Sequence, residues 1–371
     1  MKTTLHFQIA LTMVRGLGPV QAKLLLTHFD IDEVFLAEKT TLQQSQLLAE
    51  PVVESLLQFS DWDRVEKEID FIARNDIAPL FITDTRYPTR LLACHDAPIL
   101  LYYRGEAELN TNRMIAVVGT RGCTRQGIHL TEEIIAQLAP FGVTVISGLA
   151  VGIDSIAHQT ALRNGLPTIA VLPLGLDTIY PALNRPLARQ ILKAEGGLLS
   201  ESMSQYKRDS YLFPRRNRIV AGMSDATVVI ESGNKGGSMI TARLAADYGR
   251  DVFALPGRVS DPMSKGCHQL IKQQRALLVE SGEEIAAWMG WEKYADSVLS
   301  SQAPERKEEI VKALSSFEED LLKLIEREES ISTDQLKTVL QADIKQLSTA
   351  LINLELAGLI VSLPGNRYQP I

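Results

Sequence analysis

The sequence predicts an α/β protein, a doubly wound and mostly parallel sheet with a small helical N-terminal domain and a winged-helix-like C-terminal domain. Three observations carry this. Five short runs, MIAVVG, VTVISG, TIAVLPLG, ATVVIES and DVFALPG, are almost continuously apolar and rich in Val and Ile. Amphipathic segments such as IHLTEEIIAQLAPFG, SIAHQTALRNG and TARLAADYGR lie between them. On either side of this alternation the pattern turns to helices alone. Continuous apolar strands alternating with helices imply a parallel sheet covered on both faces, a Rossmann-like arrangement. Ligands in such sheets bind beyond the carboxyl ends of the strands, so the loops after the strands are where function is expected.

In chain order, residues 1–75 read as helices, with apolar positions at helical spacing in LHFQIALTMV, VQAKLLLTHF and VVESLLQF. The turn RGLGPVQAKLL resembles a helix-hairpin-helix: Gly16 and Gly18 permit a tight turn, and Pro19 suits the first turn of the next helix. Two readings stand, a phosphate-holding hairpin helped by Arg15 and Lys23, and an ordinary helix–helix turn. Residues 76–285 form the α/β domain, and 286–312 lose periodicity and read as a linker. Residues 313–371 give three helices, SSFEEDLLKLIERE, TDQLKTVL and DIKQLSTALINLELAGLI, and then a strand pair around PGN. That order is winged-helix-like. Its third helix carries only Lys345 as a base against Asp343 and Glu355, which favours a protein-contact or weakly docking role over groove reading.

Composition bounds the function. The net charge of −7 argues against coating nucleic acid over the whole surface, so any binding of a polyanion is local. The densest basic segment is KRDSYLFPRRNR, where Lys207, Arg208, Arg215, Arg216 and Arg218 face a single acid, Asp209. Cys94, Cys123 and Cys267 are scattered and odd in number, which fits neither a metal site nor a disulfide framework and points to a reducing cytosol. Apolar runs fall short of a membrane span, and the N-terminus reads as a helix of the mature protein rather than a signal peptide. No cofactor and no metal are expected.

The loops carry the candidate chemistry. After MIAVVG, the segment TRGCTRQG places Gly119, Arg121 and Arg125 before a helix N-terminus, an anion-receptive arrangement. Its glycine spacing does not match G-x-G-x-x-G, which disfavours a nicotinamide enzyme. After VTVISG, LAVGIDSIAH holds Gly148 and Gly152, with Asp154 and Ser155 as helix caps. His158 shares a helical face with Asp154 and reads as structural, since no nucleophile accompanies it. In SYLFPRRNRIVAG, arginines match phosphate oxygens and Phe213 or Tyr211 can stack a base. The alternatives are that Phe213 anchors the core and that Arg218 forms a buried ion pair with Asp225 or Glu231. In GNKGGSMITARLA, Gly233, Lys235, Gly236, Gly237 and Ser238 form a basic, amide-rich loop at a helix N-terminus, with Thr241 in the first turn. It lacks the ending of a P-loop. PGRVSDPMSKGCHQLI adds Lys265 before a further helix.

In this order, VVGTR, SGLAVGIDSIAH, AVLPLGLDTIYP, SESM with FPRRNRIVAG, VVIESGNKGGSMITARLA and VFALPGRVSDPMSKGCHQLI resemble the DNA-processing protein A (DprA/Smf) family over most of residues 80–280. The resemblance implies a Rossmann-like homodimer that binds single-stranded DNA and helps load the RecA recombinase during natural transformation. It further implies a DNA pocket of Gly119, Arg121, Phe213, Arg216, Asn217, Arg218, Lys235, Gly236, Gly237, Ser238 and Lys265. The lack of a suitably placed carboxylate or nucleophile leads to the expectation of no catalytic residue. Family members often carry Gly-Ala after the last LI, where this chain has LIKQQRALL. Two competing classes remain. One is an enzyme of the nucleotide phosphoribohydrolase type, which needs a carboxylate that Gly236 to Ala246 does not contain. The other is a nucleotide-sensing adaptor.

Overall fold

A computed structural model describes residues 2–206, 209–293, 315–327, 331–340, 342–356, 359–363 and 367–370. These fall into two compact units, Met1–Glu292 and Lys293–Ile371.

The first unit opens with six helices, α1 (Thr4–Met13), α2 (Pro19–Leu26), α3 (Ile31–Leu36), α4 (Lys39–Gln44), α5 (Glu50–Leu57) and α6 (Trp62–Arg74). Phe7, Phe35, Phe59 and Trp62 pack ring against ring at 5.0–5.9 Å and hold α1, α3 and α6 together. The α1–α2 turn needs Gly16, whose φ of +83° is costly for any residue with a side chain. Lys23 donates its ammonium to the carbonyls of Leu92 and Cys94, so its charge docks this region onto the rest of the unit. That removes one of the two bases expected to help the hairpin hold phosphate. Nor do the helices stand apart as a separate domain: Ile9, Leu25 and Val53 share one continuous core with Val118, Ile146 and Val171 of the sheet.

After the helices come β1 (Ala78–Phe81), α7 (Thr89–Leu92), β2 (Leu100–Gly105), β3 (Met114–Val118), α8 (Arg125–Leu138), β4 (Thr144–Ser147), α9 (Ile153–Arg163), β5 (Thr168–Leu172), α10 (Arg185–Lys193), β6 (Gly197–Ser200), α11 (Leu212–Met223), β7 (Ala226–Val229), α12 (Gly237–Asp247), β8 (Asp251–Ala254), α13 (Lys265–Lys272), β9 (Leu277–Leu278) and α14 (Gly282–Trp288). The nine strands order β1-β2-β6-β5-β4-β3-β7-β8-β9. From β6 to β9 all pairs are parallel, while β1 and β2 add antiparallel at one edge. The five apolar runs of the sequence are β3, β4, β5, β7 and β8. Alternation sends Ile115 and Val117 to one face under α8, α9 and α14, and Ala116 and Val118 to the other under α11, α12 and α13. The chain leaves β3 towards β4 in one direction and β7 towards β8 in the other, so the switch point lies between β3 and β7.

Helix α14 runs to Trp288 with Ile285 and Ala286 buried, so the expected linker cannot begin at 286: apolar contact with the core keeps that stretch helical. Residues 294–312 of that linker lie outside the described residues.

The second unit has α15 (Ser316–Arg327), β10 (Ile331–Ser332), α16 (Thr333–Leu340), α17 (Ile344–Leu356), β11 (Ile360–Leu363) and β12 (Arg367–Pro370). Its sheet, β10-β12-β11, is antiparallel, and Leu321, Ile325, Leu336, Leu347 and Leu354 form its core. Three helices with a β-hairpin wing are a winged helix. The Pro-Gly-Asn of the expected hairpin, residues 364–366, lies outside the described residues.

Candidate functional site

The loops at the carboxyl ends of β3, β4, β7 and β8 are stitched to one another by their own backbones. Thr120 N donates to Glu231 O at 2.8 Å, Ile153 N to Thr120 O at 3.3 Å, and Gly266 N to Ser232 O at 2.7 Å. The close approach demands glycine at particular places. A side chain on Gly119 would meet Ile153 at 2.5 Å, and one on Gly152, whose φ is +85°, would meet the Thr120 carbonyl at 2.3 Å. A cleft of about 390 Å³ opens over this platform at the switch point. It is lined by Gly119, Arg121, Phe213, Arg216, Asn217, Gly236, Gly237 and Ser238, among others. The structure thus brings eight of the eleven candidate residues to one cleft. Lys235, exposed on the loop before α12, Lys265, exposed at the first position of α13, and Arg218 are not part of its lining.

The wall of the cleft is built by α11. Phe213 packs edge-on against Tyr180 at 5.4 Å and lies under the guanidinium of Arg121, 5.7 Å from the ring centre. Arg121 is exposed and has no ion pair among the described residues. Asn217 donates to the carbonyl of Gly237 at 3.3 Å, tying α11 to the start of α12. There Met239 N is taken by Gly236 O at 3.1 Å, which leaves the amides of Gly237 and Ser238 at the positive end of the helix dipole. Gly236 is the N-cap of α12, and a side chain on it would meet Ser232 Oγ at 2.5 Å. Gly237 differs: it is exposed, and a Cβ there would meet nothing within 4 Å. The Ser238 hydroxyl is buried and donates to Ser232 Oγ at 2.8 Å, so what Ser238 presents to the cleft is its amide.

Two of the expected phosphate ligands are instead framework. Arg216 is 5% exposed, and its guanidinium donates to the carbonyls of Gly148 and Val171 at the ends of β4 and β5. A side chain on Gly148 would strike that guanidinium at 2.4 Å. Burial pulls the Arg216 pKa down to about 10 against the support of Asp154. The charge therefore lies beneath the floor of the cleft. Arg218 is 6% exposed and pairs with Glu201 while donating to the Asp96 carbonyl. Its partner is neither Asp225 nor Glu231. Glu201 also takes Arg215 Nε at 3.1 Å, so two arginines of the basic segment share one carboxylate. Lys207 and Arg208 lie outside the described residues.

Asp154 and His158, which share a helical face, each take a different partner. The Asp154 carboxylate accepts from the amides of Gly148 at 3.2 Å and Ala150 at 3.3 Å and holds the β4–α9 loop in shape. Burial raises its pKa against the pull of Arg216 and those amides. His158 Nδ1 meets Thr168 Oγ1 at 2.7 Å, and complete burial pushes its pKa down to about 3.

Glu231 was missed as a site residue. At the end of β7 and 4% exposed, it accepts from Thr124 N at 2.9 Å and Thr124 Oγ1 at 2.5 Å. A side chain on Gly127 would overlap its carboxylate at 2.2 Å. The N-terminus of α8, where a dinucleotide fold receives its pyrophosphate, is thus filled by the protein's own anion. This corrects the expectation that the TRGCTRQG amides receive an external anion. Only Arg121 and Arg125 of that segment, both exposed, remain free to do so. Thr124 was the legible half of this pair, since a threonine before a helix is an N-cap signal.

Among the described residues no cluster of His, Cys, Asp and Glu could hold a metal ion, and no helix is long and apolar enough to cross a membrane.

The fold and site define a doubly wound α/β protein whose nucleotide-type phosphate site is internally closed and whose cationic cleft lies one loop away, at the start of α12. Residues 78–290, over half of the chain, match the DNA recombination-mediator protein A family, and residues 305–366 match the DprA winged helix domain. The chain belongs to the DNA recombination-mediator protein A family. It is 31% identical to Protein Smf of Synechocystis over 98% of both chains. It is 43% identical to DNA processing protein DprA of Streptococcus pneumoniae over 56% of this chain and 72% of that one. The solved structure of the Streptococcus pneumoniae protein superposes with a TM-score of 0.67 at 35% identity, covering 79% of this chain and 100% of that one. DNA processing protein A from Helicobacter pylori, whose solved structure concerns its single-stranded DNA binding mode, superposes with a TM-score of 0.52 at 30% identity, covering 58% and 97%.

Proposed function

We propose that the chain binds single-stranded DNA by its phosphate backbone, largely without regard to sequence, in the cleft at the start of α12. The observation that carries this is Gly237. It is an exposed glycine with no protein neighbour to make room for, at a helix N-terminus, in the cleft that the unpaired Arg121 also lines. A phosphate seated there receives first-turn amides and the helix dipole. Phe213 offers a face on which a base of any identity can stack. The Helicobacter pylori relative supports the choice of single strands.

Membership of a recombination-mediator family supports the wider role, handing the bound strand to the RecA recombinase during DNA uptake and recombination. Action as a cytoplasmic homodimer belongs to the same reading and rests on the family resemblance. No catalysis is part of it. Asp154 and His158, the acid–base candidates under the cleft, are committed to loop amides and to Thr168. Sustained release of free base from nucleoside monophosphates would overturn this point.

Anisotropy titration of labelled oligothymidylate tests the reading. Log affinity should fall with log salt at about −0.7 per neutralised phosphate, and duplex of equal length should bind more weakly. Equal affinity for duplex and single strand would sink it.

A further inference from the structure

The first unit carries a second sizeable cavity besides the cleft at the switch point. About 700 Å³ lies between the helical region and the start of α11, bounded by Leu17, Arg64, Gln205, Tyr206, Tyr211 and Arg215, among others. Helix α11 therefore divides two clefts. Phe213 and Asn217 line one, and Tyr211 and Arg215, on the same two turns, line the other.

Its chemistry differs from that of the phosphate cleft. Arg64 donates to Glu68 and the Ser204 carbonyl, and Arg215, at the rim and exposed, pairs through Nε with Glu201 at 3.1 Å. Asp209 adds a negative charge at the rim. Beside these charges, the described lining offers aromatic and neutral groups. Tyr206 and Tyr211 meet at their hydroxyls, 3.2 Å apart, yet are 45% and 48% exposed. The Gln205 side-chain amide makes no hydrogen bond among the described residues. The last turn of α1, Leu11 to Met13, borders the cavity, and the final carbonyls of a helix have no helical partners. A flat group with a hydrogen-bonding edge fits this lining. Large apolar rings left half in water next to a polar-edged cavity are what a base-stacking platform requires.

We propose that this cavity is a nucleobase subsite of the same bound strand, in which Tyr206 and Tyr211 stack a base that has passed the N-terminal end of α11. The proposal rests on the single-strand reading above and extends it. Phosphates are gripped on the Phe213 side of α11, and one base is turned into the Tyr211 side.

The test uses the full chain and oligothymidylates carrying 5-iodouracil at successive positions. After irradiation, adducts are localised by fragmentation mass spectrometry. At one or two positions adducts should fall on Tyr206 or Tyr211, and at others on Phe213. The double variant Tyr206→Ala/Tyr211→Ala, at two half-exposed positions, should bind a long oligothymidylate about tenfold more weakly than wild type. An oligomer too short to round α11 should lose nothing. Adducts confined to the Phe213 side, or unchanged affinity in the double variant, would overturn the subsite and leave the phosphate cleft standing. Failure of the wild-type chain to bind any single strand would overturn the functional reading, and the subsite with it.

Discussion

The carboxylate of Glu231 receives both the amide and the hydroxyl of Thr124, at 2.9 and 2.5 Å, across the switch point of the sheet. A group fixed by the fold thus occupies the position where a nucleotide-binding relative of this architecture would seat phosphate. It accounts for Gly127, where any side chain would displace that carboxylate. The anion-receptive surface is correspondingly moved to the start of α12.

Glu231→Gln should cost stability, because it replaces a charge-assisted acceptor with an amide that cannot satisfy both Thr124 donors. The expected loss is about 1–3 kcal/mol in urea unfolding at an unchanged m-value. Glu231→Ala should lose at least as much. A loss confined to DNA affinity, with stability intact, would contradict a framework role.

Arg121 and Arg216 line the same cleft and should behave in opposite ways. Arg121→Ala removes an exposed charge, so stability should stay within about 0.5 kcal/mol while the salt slope of DNA binding falls by about 0.7. Arg216→Met strands the Asp154 carboxylate beneath the cleft and should destabilise by about 3–5 kcal/mol. Denaturant curves and salt titrations on the two variants distinguish them.

Gly237→Ala is expected to fold as well as wild type. Its φ lies outside the left-handed region and its Cβ would meet no protein atom within 4 Å. The added methyl would instead occupy ligand space, so affinity for oligothymidylate should drop severalfold with the melting temperature unchanged. Equal affinity would mean that the strand does not approach α12 there.

His158 makes the stability of the chain pH-dependent in a definite direction. Its pKa is about 3 when folded, against about 6.5 in an unfolded chain. Below pH 6.5 the unfolded state holds a proton that the folded state lacks, so this stability is complete above that pH and is lost as pH falls towards 3. Comparison with His158→Asn subtracts the buried carboxylates. Between pH 7.5 and 5 the wild type should lose about 2 kcal/mol more than the variant. Equal losses would mean that the imidazole gains its proton in the folded state.

What the sequence determined by itself is what local pattern encodes. Five apolar runs became β3, β4, β5, β7 and β8, and glycine-rich turns at their carboxyl ends became the loops of the cleft. The ordered motifs were enough to reach the family. The strands β1, β2, β6 and β9 were not legible: β9 is only two residues long, and β1 and β2 join the sheet by antiparallel pairing that no local pattern announces. Only the tertiary structure decided which charges are free. Arg216 and Lys23 read as available bases, and Arg218 as either a phosphate ligand or a buried ion pair, until the carbonyls of Val171, Leu92 and Asp96 are brought to them. Glu231 read as the end of a strand until Thr124, 107 residues away, was placed against it. A residue's charge is a property of its side chain, but its availability to a ligand depends on which donors and acceptors the fold carries within 3 Å of it, often from distant parts of the chain.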